Sequence, residues 1–111
     1  MKVAYYMMAS HQLEEIIARI IEVYHPEKII LFGSYANGSA KDSSDIDLLL
    51  VKHTNELPVD RAAMVRTSLR SFSFPMDILV YTPEEIENFK GSKFSFVSQV
   101  LKSGKILYER S

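Results

Sequence analysis

The sequence predicts an α+β (α/β) protein in which helices pack against one small mixed β-sheet. Three short apolar runs, at 28–32, 45–52 and 75–81, have the length and the β-branched content of buried strands. Apolar residues recur at helical spacing between 10 and 24, which indicates an amphipathic helix. Only a dozen residues join the first two runs, which leaves little room for a crossover helix. A mixed sheet is therefore favoured over a purely parallel one.

The segment between the second and third strands predicts a helix that starts at Pro58 and ends near residue 72. Proline suits the first turn of a helix because its ring fixes φ and its missing N–H needs no partner there. The apolar face of this helix would comprise Val59, Ala62, Val65, Leu69 and Phe72.

Two further helices and an edge strand are expected after the third strand. Thr82 and Glu85 have the spacing of a capping box, with a proline between them, so a short helix should run from 83 to about 89. A last helix around Phe96 should close at Gly104, at the position after its cap. The stretch "KILYE", 105–109, then predicts a final edge strand.

The composition predicts a single globular domain that spans 1–111. The 111 residues are 47% hydrophobic and 24% charged, which is typical of folded proteins. Thirteen basic and fourteen acidic residues leave a net charge of −1, which disfavours a long nucleic acid as a partner. The absence of cysteine excludes disulfides and thiolate metal sites. No run resembles a signal peptide or a membrane span, so we expect a cytoplasmic protein without a membrane partner.

Two carboxylates at the start of the second strand are the first chemical signal. Residues i and i+2 of a strand share a face, so Asp45 and Asp47 should project side by side, roughly 6 to 7 Å apart at Cα. Such like charges repel unless a cation lies between them, and Mg²⁺ or Mn²⁺ prefers oxygen ligands. The alternative is that both carboxylates are simply solvated at the mouth of the strand.

A third carboxylate, Asp77, lies among apolar neighbours in the third strand. If the two strands are adjacent, three carboxylates converge, and a metal site explains that set better than a structural role. A pair of metal ions can activate the attacking oxygen and stabilise the leaving oxygen of a phosphoryl displacement. Gly33 and Ser34 follow the first strand directly, where a helical turn could hold a phosphate.

These residues together resemble a known family. Gly33-Ser34, ten intervening residues and Asp45-x-Asp47, with Asp77 on a later strand, resemble the palm-like nucleotidyltransferase fold of the DNA polymerase β superfamily. The string "GSYANGSAKDSSDIDLLL" is similar to its minimal nucleotidyltransferase branch.

The resemblance implies a catalytic site. Asp45, Asp47 and Asp77 would bind two Mg²⁺ ions, with Mn²⁺ as an alternative, and Asp77 would help to deprotonate an acceptor hydroxyl. The reaction would transfer a nucleoside monophosphate from ATP or another nucleoside triphosphate and release pyrophosphate. The nucleotide-binding residues would be Gly33, Ser34 and Ser44.

The resemblance also implies a partner. In the minimal branch the acceptor belongs to a separate helical protein of the HEPN type, often an RNase toxin, which is neutralised when a tyrosine receives AMP. This chain would then be the antitoxin. The alternatives are transfer to a small molecule such as an aminoglycoside, a nucleotide-binding subunit that neutralises its partner without catalysis, and an interaction protein that keeps only the fold. The three carboxylates disfavour the last.

Three other features of the sequence lead to predictions. Asn37 stands where family members often carry arginine, which is expected to weaken triphosphate binding or to change the choice of nucleotide. The apolar cluster Tyr5-Tyr6-Met7-Met8 is interpreted either as a surface for a partner or a homo-oligomer, or as part of the core. None of the histidines has ligand spacing, and surface positions are expected for His11, His25 and His53.

Overall fold

The computed structural model describes residues 10–41, 44–92 and 95–110. They form, in chain order, α1 (Ser10–Tyr24), β1 (Lys28–Phe32), α2 (Ser34–Asn37), β2 (Ile46–Val51), a short 3-10 turn (Pro58–Asp60), α3 (Ala63–Ser68), β3 (Met76–Tyr81), α4 (Pro83–Lys90), α5 (Phe96–Ser103) and β4 (Lys105–Glu109). The α+β class is confirmed.

The four strands form one mixed sheet in the order β3-β2-β1-β4. β1 is antiparallel to both of its neighbours, and β2 is parallel to β3. The connection between β1 and β2 contains only the one-turn helix α2, so the chain reverses and the two strands pair as a hairpin-like unit. The predicted edge strand is confirmed as β4, which pairs with β1 alone.

Both faces of the central strands are covered by helices. One face packs against α1 and α3, where Ile16, Ile20 and Val65 are fully buried. The opposite face of the sheet packs against α4 and α5 through a smaller cluster comprising Ile30, Leu49, Val51 and Val100. Because side chains alternate along a strand, the residues of β2 that share this second face are Asp47, Leu49 and Val51.

The capping box at α4 is confirmed. Thr82 Oγ1 accepts a hydrogen bond from the Glu85 amide (3.2 Å), and the Glu85 carboxylate accepts one from the Thr82 amide (2.9 Å). The same carboxylate receives two hydrogen bonds from the guanidinium of Arg61, at 2.7 and 3.2 Å. The start of α4 is therefore fixed both locally and by a residue of the preceding segment.

The predicted helix from Pro58 to residue 72 is wrong in extent and in part of its apolar face. The chain forms a 3-10 turn and then a six-residue α-helix, and Val59 is 82% exposed. Arg61 lies between the two pieces, buried, where its side chain reaches Glu85 and the main-chain oxygen of Glu56 (3.1 Å). These tertiary contacts hold the chain at Arg61 in a tight turn. They cannot be predicted from helical periodicity alone.

The prediction for Gly104 is also wrong in its geometry. Gly104 is itself the C-cap of α5, with φ −75°, and does not adopt the left-handed conformation usual after a cap. A Cβ atom here would lie 2.6 Å from the Val100 oxygen and 2.7 Å from Ile30 Cγ2. Glycine is needed because the end of α5 lies against β1. A left-handed residue instead follows α1, where His25 has φ 52°.

The remaining surface features agree with the sequence where the structure describes them. His11, His25 and His53 are exposed, as predicted, and His53 Nδ1 lies 3.5 Å from a Glu84 carboxylate oxygen. The cluster at 5–8 lies outside the described residues. No helix in the described part of the chain has the length and apolarity that crossing a membrane requires.

Candidate active site

Three side chains form a row across adjacent strands. Asp47 in β2 is the antiparallel partner of Phe32 in β1 and the parallel partner of Asp77 in β3. Directly paired residues project to the same face of a sheet, and neighbouring strands lie about 4.8 Å apart. Phe32, Asp47 and Asp77 therefore stand side by side. The two aspartate-bearing strands are adjacent, which is the condition for the convergence of their carboxylates.

Asp45 extends the carboxylate group beyond the strand. It lies one residue before β2 (Ile46–Val51) and is exposed, whereas Asp47 is half-buried. Burial raises the pKa of Asp47, and the negative charges of Asp77 and Asp45 raise it further. Asp45 and Asp77 thus both lie within electrostatic range of Asp47.

The other face of the same strands explains why the carboxylates are held in place. Ile46, Leu48 and Ile78 alternate with the aspartates and are buried against α1 and α3. A shift of either strand by one residue would exchange these apolar side chains with the carboxylates. The burial of one face thus fixes the orientation of Asp47 and Asp77 on the other.

Gly33 brings the end of β1 against Asp47. Its φ of 76° and ψ of −154° lie in a region that essentially only glycine adopts. A Cβ atom at this residue would collide with the Asp47 carboxylate. Glycine is required here for its backbone conformation and for the close approach of the main chain to the carboxylate.

The short helix α2 begins next to this contact. The Gly33 oxygen accepts hydrogen bonds from the amides of Ala36 (3.0 Å) and Asn37 (3.2 Å), so the turn starts at Ser34. Amide groups at the start of a helix point outward beyond its N-terminus and favour anions there. Of the two predicted phosphate-binding residues, Gly33 lies against Asp47, and Ser34 is the first residue of the helix.

The loop between α2 and β2 uses the polar residues singled out in the sequence for its own hydrogen bonds. Asn37 Oδ1 accepts from the amide (3.0 Å) and the hydroxyl (2.6 Å) of Ser39, so its side chain folds back over the loop. Ser44 Oγ accepts from the Lys41 amide (2.8 Å) in the turn that precedes Asp45. The nucleotide-binding role of Ser44 stays a prediction.

The donor set is suited to a hard divalent cation. Carboxylate oxygens are the ligands that Mg²⁺ and Mn²⁺ prefer, and positive charge would relieve the repulsion that Asp45 and Asp77 exert on Asp47. Within the described ranges, no group of three acidic or histidine side chains stands ready-made around a metal position. The aspartates fit such an ion by their chemistry and shared face.

Sequence reasoning missed Phe32 as a site residue. Its ring lies on the same face as Asp47, and the ring of Phe96 contacts it edge-on with centroids 5.3 Å apart. The signal was available only in part, because Phe32 directly precedes Gly33 but its orientation depends on the register between β1 and β2. That register is a tertiary property.

Comparison with known sequences gives the family. The family described as polymerase beta, nucleotidyltransferase matches residues 14–111 of this chain. MJ0604 of Methanocaldococcus jannaschii, a proposed protein adenylyltransferase, is 37% identical over 83 residues, which cover 74% of this chain and 78% of the relative.

Two solved structures share the fold. A proposed nucleotidyltransferase from Sulfolobus solfataricus superposes with a TM-score of 0.67 at 23% identity and covers 99% of this chain and 90% of that one. A toxin–antitoxin structure with AMP-PNP gives a TM-score of 0.61 at 22% identity, with 88% and 74% covered. The match to the family model and the related sequence agree. The chain therefore belongs to the polymerase β nucleotidyltransferase family and is an enzyme that transfers nucleotides.

Proposed function

We propose that this enzyme transfers AMP from ATP to a hydroxyl group on a partner protein, with two divalent cations held by Asp45, Asp47 and Asp77. The observation that carries the proposal is the pairing of Asp47 with Asp77 on one face, with Gly33 packed against the Asp47 carboxylate. A phosphate-binding turn and a carboxylate group side by side are what nucleotidyl transfer requires.

Residues on neighbouring strands of the sheet would have different roles in the reaction. The amides at Gly33 and Ser34 would orient the triphosphate at the end of β1, beside Asp47. When bound, Mg²⁺ or Mn²⁺ would neutralise the charge that develops on the attacking and leaving oxygens. The acceptor oxygen would form a bond to the α-phosphorus while the bond to the bridging oxygen breaks, and pyrophosphate would leave.

Asp77 suits the side from which an acceptor would approach. It is exposed and lies on β3, the edge strand of the sheet, on the side of Asp47 opposite to β1. An acceptor hydroxyl arriving there could pass its proton to the Asp77 carboxylate, and the proton would then leave to water. The nucleotide would thus occupy the β1 side of the row and the acceptor the β3 side.

The choice of ATP and of a protein acceptor rests on the relatives. MJ0604 is named a proposed protein adenylyltransferase, and one structure with the same fold is a toxin–antitoxin with AMP-PNP. We propose by extension that the partner is a helical toxin of the HEPN type and that this chain is its antitoxin. Transfer of AMP would then neutralise the toxin.

Label transfer tests this proposal. The chain is incubated with Mg²⁺, ATP labelled at the α-phosphorus and the protein encoded beside its gene. We expect label on the partner protein, and we expect Asp47→Asn and Asp77→Asn to abolish it. The control is Asp60→Asn, an exposed aspartate in the 3-10 turn and outside the row, which should transfer as much label as the wild type.

Three outcomes would contradict the proposal. Neutralisation of the partner through complex formation without covalent label would show a binding function instead of transfer to the partner. Transfer of label from the γ-phosphorus would show a kinase-type reaction. Label that appears on an aminoglycoside and on no protein would replace the protein acceptor with a small molecule.

A further inference from the structure

A half-exposed aromatic ring borders the carboxylate row on the β1 side. Phe96, the first residue of α5, is 46% exposed, and its ring meets Phe32 edge-on at 81°. The same helix buries Val97 and Val100 against the sheet. Burial of a phenylalanine ring would contribute strongly to stability, so a ring left open beside the site suggests that something else contacts it.

Hydrogen bonds fix the position of this ring. Ser95 caps α5 by accepting from the Ser98 amide (3.0 Å). The Ser98 hydroxyl donates to the main-chain oxygen of Phe89 at the end of α4 (3.1 Å), and Ser95 Oγ lies 2.9 Å from the same oxygen. The start of α5 is thereby tied to α4, and Phe96 is presented from a rigid element.

The ring lies on the side of the row where the nucleotide would bind. Phe32 is followed directly by Gly33, the proposed phosphate-binding residue, and is paired with Asp47. In a nucleoside triphosphate only the ribose separates the α-phosphate from the base. The base of a triphosphate held at Gly33 would lie within the length of one ribose from the α-phosphate, and the aromatic pair is an apolar surface beside Gly33 on the β1 side.

We infer that Phe96, supported by Phe32, is the platform on which the base of the nucleoside triphosphate stacks. The inference rests on the proposed function, because it needs the triphosphate at Gly33. Aromatic side chains bind nucleobases through the flat face that every base has, and an edge-on pair leaves ring surface open for such contact. Phe96 would then contribute to affinity for the nucleoside part and not for the phosphates.

Calorimetric titration separates the two contributions. Wild type and Phe96→Leu are titrated, each with Mg²⁺, against α,β-methylene ATP and against tripolyphosphate, which lacks the nucleoside. Leucine keeps an apolar contact with Phe32 but removes the ring. We expect Phe96→Leu to bind the ATP analogue about tenfold more weakly than wild type does, which is the scale of one lost stacking contact. Its affinity for tripolyphosphate should be unchanged. Phe96→Tyr should restore the affinity for the analogue.

Phe89 provides a matched control. Phe89 is 43% exposed, and its ring meets Tyr81 edge-on, with centroids 6.1 Å apart, at the end of β3 remote from Asp77. Phe89→Leu should change neither dissociation constant.

The inference is overturned if Phe96→Leu binds the ATP analogue as tightly as wild type, or if its affinity falls by the same factor for both ligands. Wild-type protein that binds tripolyphosphate as tightly as the analogue would refute the platform and leave the proposed function intact. Wild-type protein that binds neither ligand would refute the proposed function, and the platform with it.

Discussion

The charged side chain of Asp47 destabilises the folded state at its position in β2. Its carboxylate is half-buried, and the charges of Asp77 and Asp45 act on it from the same side of the sheet. A residue chosen for stability at this point would be apolar, as Leu49 is two positions further along the same face. The negative charge at Asp47 is compensated when a cation and a substrate bind, which points to a functional role for this residue.

Replacing this carboxylate should therefore stabilise the metal-free protein. The folded pKa of Asp47 is raised above its unfolded value of 3.8, so wild-type stability falls as the pH rises through the raised pKa. Asp47→Asn, which cannot ionise, should melt at a higher temperature than wild type at pH 7 in EDTA and should be inactive in label transfer. The advantage should disappear below pH 3.8, where wild-type Asp47 is protonated.

Calorimetry at pH 7 and pH 3 measures both effects. Asp60→Asn, whose side chain is exposed, is the control and should melt close to wild type. A lower melting temperature for Asp47→Asn at pH 7 would contradict this account of the residue.

Gly33 gives a second prediction for a single residue. Gly33→Ala forces a side chain into a left-handed backbone and against the Asp47 carboxylate, so we expect a loss of about 2 kcal/mol in the free energy of unfolding and loss of nucleotide binding. Gly91→Ala is the control, since Gly91 has φ −74° and open space around it. It should keep or slightly raise stability in urea unfolding. Equal effects of the two substitutions would contradict the assigned role of Gly33.

At the scale of the elements, two arginines support the edge strand that carries Asp77. The outward carbonyls of β3 accept from Arg61 Nη1 at Val80 (3.3 Å) and from Arg66 Nη2 at Ile78 (3.1 Å). An edge strand otherwise leaves such groups without a strand partner. Helix α3 and the turn before it thus hold β3 in place from outside the sheet.

The ion pair between Arg61 and Glu85 should give the fold an acid-sensitive contact. The hydrogen bonds from Arg61 hold the pKa of Glu85 below its usual value of 4.5, so the stabilisation is complete above that pH and is lost as the pH falls through the folded pKa. Glu85→Gln can keep the capping box but leaves the buried guanidinium of Arg61 without its carboxylate partner. We expect it to lose about 2 to 3 kcal/mol at pH 7, and less in acid.

Urea unfolding at pH 7 and at pH 3 tests this difference. Glu84→Gln alters an exposed carboxylate in the same helical turn and should cost no more than about 1 kcal/mol. A loss for Glu85→Gln that is equally large at both pH values would show that charge is not the cause.

The elements that the sequence predicted correctly are those governed by short-range patterns. Helix α1 follows from its apolar spacing, and the capping box at Thr82 follows from four adjacent residues. The segment at 58–72 could not be predicted, because its break depends on contacts between Arg61 and residues far along the chain. Phe96 likewise became a candidate only when the order and register of the strands were known.

At the scale of the whole molecule, the order of the strands arranges the reaction. Because the strands lie in the order β3-β2-β1, the site contains Asp77 on one side, Asp47 in the middle and Gly33 on the other side. An acceptor and a nucleotide can then approach the same carboxylates from opposite sides. The metal-site hypothesis required β2 and β3 to be adjacent, and the topology satisfies this condition.

The assignment of the three aspartates to a two-metal site can be tested without an acceptor, by counting the Mn²⁺ ions bound in the presence of α,β-methylene ATP with electron paramagnetic resonance. We expect two Mn²⁺ ions per wild-type chain, as a two-metal site requires, and the same number in Asp60→Asn. Asp45→Asn, Asp47→Asn and Asp77→Asn should each bind fewer. If all three variants bind as many ions as wild type, and as tightly, these aspartates are not the metal-binding site.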